Sequence, residues 1–109
     1  MRCTWWLRLG ALAIGLTGTS LAYAAGDAAQ GKIKAQSCMG CHGIPGYTNA
    51  YPNYHVPRVG GQETDYIVAA LKAYAKGERQ HKTMRAQAAS LSEQDMQDIA
   101  AYFNAGGVQ

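Results

Sequence analysis

The run Cys38-Met39-Gly40-Cys41-His42 constrains this chain more than any other stretch. Two cysteines three apart with a histidine directly after them suit a local disulfide, a zinc site, a thioredoxin-like redox pair or covalent attachment of a haem. A disulfide between Cys38 and Cys41 would close a very short loop, stabilise little and leave His42 without a role. Structural zinc takes four ligands, commonly two of them from a second Cys or His pair, and no such pair follows. A thioredoxin-like pair needs a preceding strand in a βαβ setting, and none is visible. Haem attachment remains, and the spacing explains it. On a helical turn, thiols three residues apart reach the two vinyl groups along one side of a porphyrin. The next side chain, His42, then projects under the ring and offers an imidazole nitrogen to the iron.

Size points the same way. The 109 residues are enough for one small domain, and the first two dozen do not read as part of it. Arg2 and Arg8 bracket a basic start, an apolar run follows from Leu9 to Leu21, and Ala22-Tyr23-Ala24 closes the segment with small residues. This is the layout of a secretory signal peptide cleaved after Ala24, so residues 1–24 are expected to leave and residues 25–109 to form the domain. As a membrane anchor the run is short and is weakened by Gly10, Gly15 and Gly18. Cys3 lies before the run and is expected to leave with it. Losing Arg2 and Arg8 takes the net charge from +3 to +1, so most of the basicity belongs to export. No basic stripe alternates with aromatics, which argues against nucleic acid as a partner. A domain this small has a marginal core of its own, and a large apolar cofactor would complete it.

The rest of the chain reads as helices. Asp27 is a plausible N-cap, with Gln30 three residues on, for a first helix running to about Ser37. Gly31 inside it costs roughly 1 kcal/mol relative to alanine, a loss that close approach by another helix would offset. Residues 43–60 are dense in Pro, Gly, Asn and Tyr and read as a long shaped loop, in which Tyr47, Tyr51 and Tyr54 either line a ligand or pin the loop. A second helix from about Glu63 to Ala75 buries Ile67, Ala70, Leu71 and Tyr74, and Gly77 ends it. Residues 77–90 read as a polar connection holding His81 and Met84. Ser92-Glu93-Gln94-Asp95 then fits a capping box, with Leu91 and Met96 placed for a hydrophobic staple and Met96, Ile99, Ala100 and Phe103 forming the buried stripe. No internal repeat and no strand of useful length is visible, so the fold is expected to be all-α.

A haem with one histidine needs a sixth ligand, and Met84 is the candidate because a thioether in a polar connection has no core to fill. Met96 belongs to the apolar stripe, and Met39 lies inside the attachment turn. His55 is expected on the His42 side of the ring, while His81, three residues before Met84, is the rival ligand.

The chain resembles the small class I bacterial c-type cytochromes, in particular the cytochrome c553 group and one half of di-haem cytochrome c4. The resemblance covers residues 26–104 and rests on Gly26-Asp27, Cys38 to Gly43, Pro57-Arg58-Val59-Gly60-Gly61-Gln62, Tyr66, Leu71, Tyr74 to Arg79, Met84, and Leu91-Ser92 leading into the Ala100-Ala101-Tyr102-Phe103 helix. It implies a small cytochrome c fold of about three to five helices wrapped around one covalently bound haem c, with His42 and Met84 on the iron. It further implies that the Pro57 carbonyl accepts the His42 Nδ1 proton, that Gly31 meets Tyr102 or Phe103 where the first and last helices cross, and that Arg79 pairs with a haem propionate. The tyrosine-rich segment between Gly46 and Val56 departs from the family's usual loop. The implied function is a periplasmic electron carrier, not an enzyme, between respiratory-chain partners such as a dehydrogenase, a bc-type complex, a terminal oxidase or a reductase, peripheral to the membrane at most. A peroxidase-like haem enzyme or a haem ligand sensor is the alternative if Met84 does not bind the iron. Lys72, Lys76 and Lys82 are a candidate docking patch beside the site.

Overall fold

The computed structural model describes residues 25–107. The segment read as a signal peptide, with its cleavage site after Ala24 and with Cys3, lies outside the described residues. Five helices and one two-residue hairpin follow in the order α1 (Ala28–Lys34), α2 (Gln36–His42), β1 (Thr48–Asn49), β2 (Tyr54–His55), α3 (Thr64–Lys76), α4 (Lys82–Ala89) and α5 (Glu93–Asn104). The all-α expectation holds, with a minimal antiparallel ribbon added: Thr48 pairs with His55 and Asn49 with Tyr54.

The first helical stretch divides in two. Asp27 caps α1, its carboxylate accepting the Ala29 and Gln30 amides. Ala35 then leaves helical geometry, with φ −78° and ψ 3°, and the chain restarts as α2. This break lets the cysteine-bearing turn take its own direction while Ala35 itself is fully buried.

Helix α1 lies directly on α5, and Gly31 is what permits it. A Cβ on Gly31 would sit 1.9 Å from the Asp98 carbonyl oxygen and 2.9 Å from the Tyr102 Cβ. The helix-weakening glycine is therefore required by contact between backbones. The same crossing carries an electrostatic clamp. Asp98 is 3% exposed, and its carboxylate accepts the Asp27 N–H at 2.8 Å, the Gln94 amide at 2.9 Å and the Lys34 ammonium at 2.6 Å. Asp27 thus finds the acceptor for its own amide on α5, where the sequence suggested Gln30. Lys34 also reaches Asp95 at 2.8 Å, so one ammonium joins two carboxylates of α5. Lys34, with the Ser92 cap, holds Asp95 down at about 2, and Lys34 followed by the Asp27 amide lowers Asp98.

Helix α3 ends as the sequence predicts, with Gly77 at φ 77° closing the helix. The capping box of α5 is complete: the Ser92 hydroxyl accepts the Asp95 amide at 3.1 Å, and Asp95 accepts the Ser92 amide at 2.9 Å. Ile67, Val68 and Leu71 of α3 meet Met96, Ile99, Ala100 and Phe103 of α5 in the core. Lys72 and Glu93 form an ion pair between the same two helices.

The polar connection expected over residues 77–90 is corrected. Lys82–Ala89 is helical, capped by His81 and holding Ala88 in the core. Its residues, Lys-Thr-Met-Arg-Ala-Gln-Ala-Ala, are mostly good helix formers. They lack an apolar stripe, so periodicity alone passes the helix over.

Gly31→Ala should destabilise the domain by about 1–3 kcal/mol, the scale of overpacking at a site that cannot relax; a urea titration with an unchanged midpoint would contradict the close crossing. The lowered carboxylates give a signed pH dependence. Their contribution is fully present above the ordinary value of 3.8 and is lost as pH falls through the lowered values, that of Asp95 lying at about 2. Asp98→Asn should be less stable at neutral pH and should lose stability less steeply through that acid range, measured as denaturation midpoints against pH.

Candidate functional site

The broken helix, the hairpin and the α3–α4 pair enclose one cleft of about 410 Å³, within the range of cofactor pockets. Cys38, Cys41, His42, Pro57, Arg79 and Met84 all line it. Met39 and Met96 do not, and Met96 is buried in the core at 5% exposure. The site therefore unites residues that lie up to 46 positions apart in the chain, from Cys38 to Met84.

Helix α2 places the two cysteines three residues apart on one face, both half-buried and neither in a disulfide. Burial against the apolar wall pushes the Cys38 thiol up from its ordinary value. His42 ends the same helix, and its Nδ1 lies 2.9 Å from the Pro57 carbonyl oxygen. With Nδ1 donating to that carbonyl, Nε2 is the nitrogen left with a lone pair, which is how a metal-binding imidazole is oriented and made more basic. The segment carrying Pro57 is itself anchored. The Gly61 N–H donates to the Phe103 carbonyl at 2.8 Å, and Asn104 donates to the Gln62 carbonyl at 3.0 Å. Helix α5 thus fixes the strap that aims His42.

Val59, Ile67, Leu71, Leu91, Ile99 and Phe103 give the cleft an apolar wall. Its polar lining includes Arg58, Gln62, Tyr66, Arg79, His81 and Thr83. Arg79 stacks over Tyr74 at 4.9 Å from the ring centre and lies 3.5 Å from the Tyr66 hydroxyl. The tyrosine-rich segment divides by residue. Tyr54 lines the cleft, whereas Tyr51 is 96% exposed. His55 sits beside His42 along a smaller adjoining cleft of about 250 Å³, and its Nδ1 is 3.2 Å from the Thr48 hydroxyl.

Of the three lysines considered for docking, Lys72 is tied to Glu93, while Lys76 and Lys82 are exposed. Sequence reasoning missed the imidazole cap on α4 and the Lys34–Asp98 clamp. Both join residues through tertiary or capping geometry that no local pattern signals.

The chemistry of the donors fits a haem. Two neighbouring thiols flank an apolar slot, an oriented imidazole stands next to them, and a thioether lines the same slot. Among the described residues no group of three or more His, Cys, Asp or Glu is placed to hold a metal ion.

The family model for cytochrome c matches residues 28–105, and the chain belongs to the cytochrome c family. It is 45% identical over 92 residues to cytochrome c4 of Pseudomonas aeruginosa, covering 84% of this chain and 43% of that protein. It is 41% identical over 83 residues to cytochrome c-554(548) of Halomonas halodenitrificans, covering 73% of this chain and 96% of that one. Among solved structures, cytochrome c4 of Acidithiobacillus ferrooxidans superposes with a TM-score of 0.62 at 27% identity, over 74% of this chain and 50% of that chain. The chain thus spans about half the length of the cytochrome c4 proteins it matches and nearly the whole of the shorter relative. Its cofactor is haem c, bound covalently.

Haem should therefore stay with the chain on denaturation in acid organic solvent, and the mass should correspond to one haem per chain. Haem that extracts freely would contradict attachment through Cys38 and Cys41.

Proposed function

We propose that this chain is an exported one-electron carrier whose haem iron is held between His42 and Met84. The observation that carries the reading is the 2.9 Å contact between His42 Nδ1 and the Pro57 carbonyl, which leaves Nε2 for iron in a cleft that Met84 also lines. When bound, haem supplies a metal centre that changes oxidation state by one electron, and a His/Met pair raises its potential. The chain's own residues then have distinct tasks. Cys38 and Cys41 tether the porphyrin, Pro57 orients His42, and the apolar wall excludes water from the iron. Arg79, exposed beside Tyr66, is suited to a propionate.

If His42 and Met84 both held the iron, little room would remain there for a substrate, which favours a carrier over a peroxidase or sensor role. The partners are redox proteins, of which a dehydrogenase, a bc-type complex, a terminal oxidase and a reductase are the classes that suit a carrier. The signal-like segment at residues 1–24 supports a periplasmic location. Among the described residues no helix is long and apolar enough to cross a membrane.

The test is spectroscopic. The oxidised protein should show the methionine-to-iron charge-transfer band. Met84→Ala should abolish it and lower the potential, whereas Met96→Leu, which nearly conserves volume in the core, should leave the spectrum almost unchanged. Reversal of the two phenotypes would move the ligand to Met96, and an absent band in the parent protein would favour the open-site functions.

A further inference from the structure

The start of α4 holds an arrangement that attachment and ligation leave unused. His81 has extended backbone, φ −169° and ψ 108°, and its Nδ1 accepts the backbone N–H of Met84 at 3.2 Å. The usual capping side chains are Ser, Thr, Asp and Asn, so an imidazole in this role stands out. The amide it caps belongs to the proposed iron ligand itself.

The imidazole is also clamped. Tyr54, from β2, meets it edge-on with ring centres 4.7 Å apart and planes at 81°. Tyr74, from α3, approaches from a second direction at 6.4 Å and 76°. Tyr54, Tyr74 and His81 line the cleft together with Met84. Because Nδ1 accepts a hydrogen bond, it carries the lone pair and Nε2 carries the proton. The nitrogen with a free pair is thus turned to the helix and engaged there.

The geometry points to His81 as a positioning residue for Met84: its imidazole, gripped by Tyr54 and Tyr74, caps the first turn of α4 and so keeps the Met84 thioether on the iron. This rests on the proposal that Met84 is the sixth ligand. The physical basis is local opening. A ligand carried on one short helix leaves the metal when that turn unravels, and a free ligand in solution captures only the opened fraction. Each factor gained in the open population therefore appears as the same factor in apparent affinity for the external ligand. Loss of a side-chain cap raises that population roughly five- to tenfold.

The experiment titrates imidazole into the oxidised holoprotein and follows loss of the methionine-to-iron band. His81→Ala should bind imidazole roughly five- to tenfold more tightly than the parent protein. His81→Asn, which restores a capping acceptor, should recover most of that difference. Tyr54→Ala, which frees the imidazole on one side, should shift affinity in the same direction and provides a second variant should His81→Ala fold poorly. Ser92→Ala removes an equivalent cap from α5, a helix that does not carry Met84. It should lower the urea midpoint while leaving imidazole affinity unchanged, which separates positioning from general stability. Unchanged affinity in His81→Ala, or an equal shift in Ser92→Ala, would overturn the inference while the parent band is present. A parent spectrum without that band would remove Met84 as ligand, and the positioning role with it.

Discussion

Where α1 crosses α5, the Gly31 backbone comes so near the Asp98 carbonyl that one added methyl would have to stand 1.9 Å from that oxygen. The rest of the molecule is arranged around this contact. The same stretch of α5 turns the Asp98 carboxylate towards Lys34 and the Asp27 amide, so steric fit and charge pairing lock one orientation of the two helices. On its buried side α5 packs against α3, and at its end it accepts the Gly61 amide that anchors the strap holding Pro57. The direction of the His42 imidazole is therefore set, through Pro57 and Gly61, by the helix that Gly31 allows to approach.

The core that results is thin. Among the described residues Ile99, at 1% exposure, and Phe103, at 2%, are the most fully buried large side chains, and both, with Ile67 and Leu71, contribute to core and cleft wall. A domain of this size buries too little apolar surface to be comfortable alone. A porphyrin against that wall would serve as the missing half of the interior, so cofactor and fold depend on each other.

The two sides of the cleft are built differently. On the His42 side, a strap tied to α5 aims the imidazole, and the proposed cysteine tethers would add to it. The Met84 side depends on an eight-residue helix with one residue, Ala88, in the core and an imidazole at its start. Met84 packs half-buried against the core there, and capping and ring contacts add to that packing. This difference explains why α4 is faint in the sequence: a helix stabilised at its end and by propensity leaves no apolar stripe to read.

Much of the protein is set by local chemistry. The cysteine spacing in 38–42 selects haem attachment because only that chemistry uses both thiols and the adjacent imidazole at once. The Ser92–Asp95 box and Gly77 mark helix ends through hydrogen bonds and backbone freedom confined to a few residues, which is why those boundaries are legible. Tertiary structure decides whatever depends on distant partners. It breaks the first helix at Ala35, gives the Asp27 amide to Asp98, withdraws Lys72 into a pair with Glu93, and assigns Tyr54 to the cleft while Tyr51 faces solvent. It also sets the imidazole of His81, the cap of α4, between the rings of Tyr54 and Tyr74. The physical reason is range: a cap or an attachment turn is satisfied within a few residues of chain, whereas a close crossing, an ion pair or a ring contact exists only after helices far apart in sequence have docked.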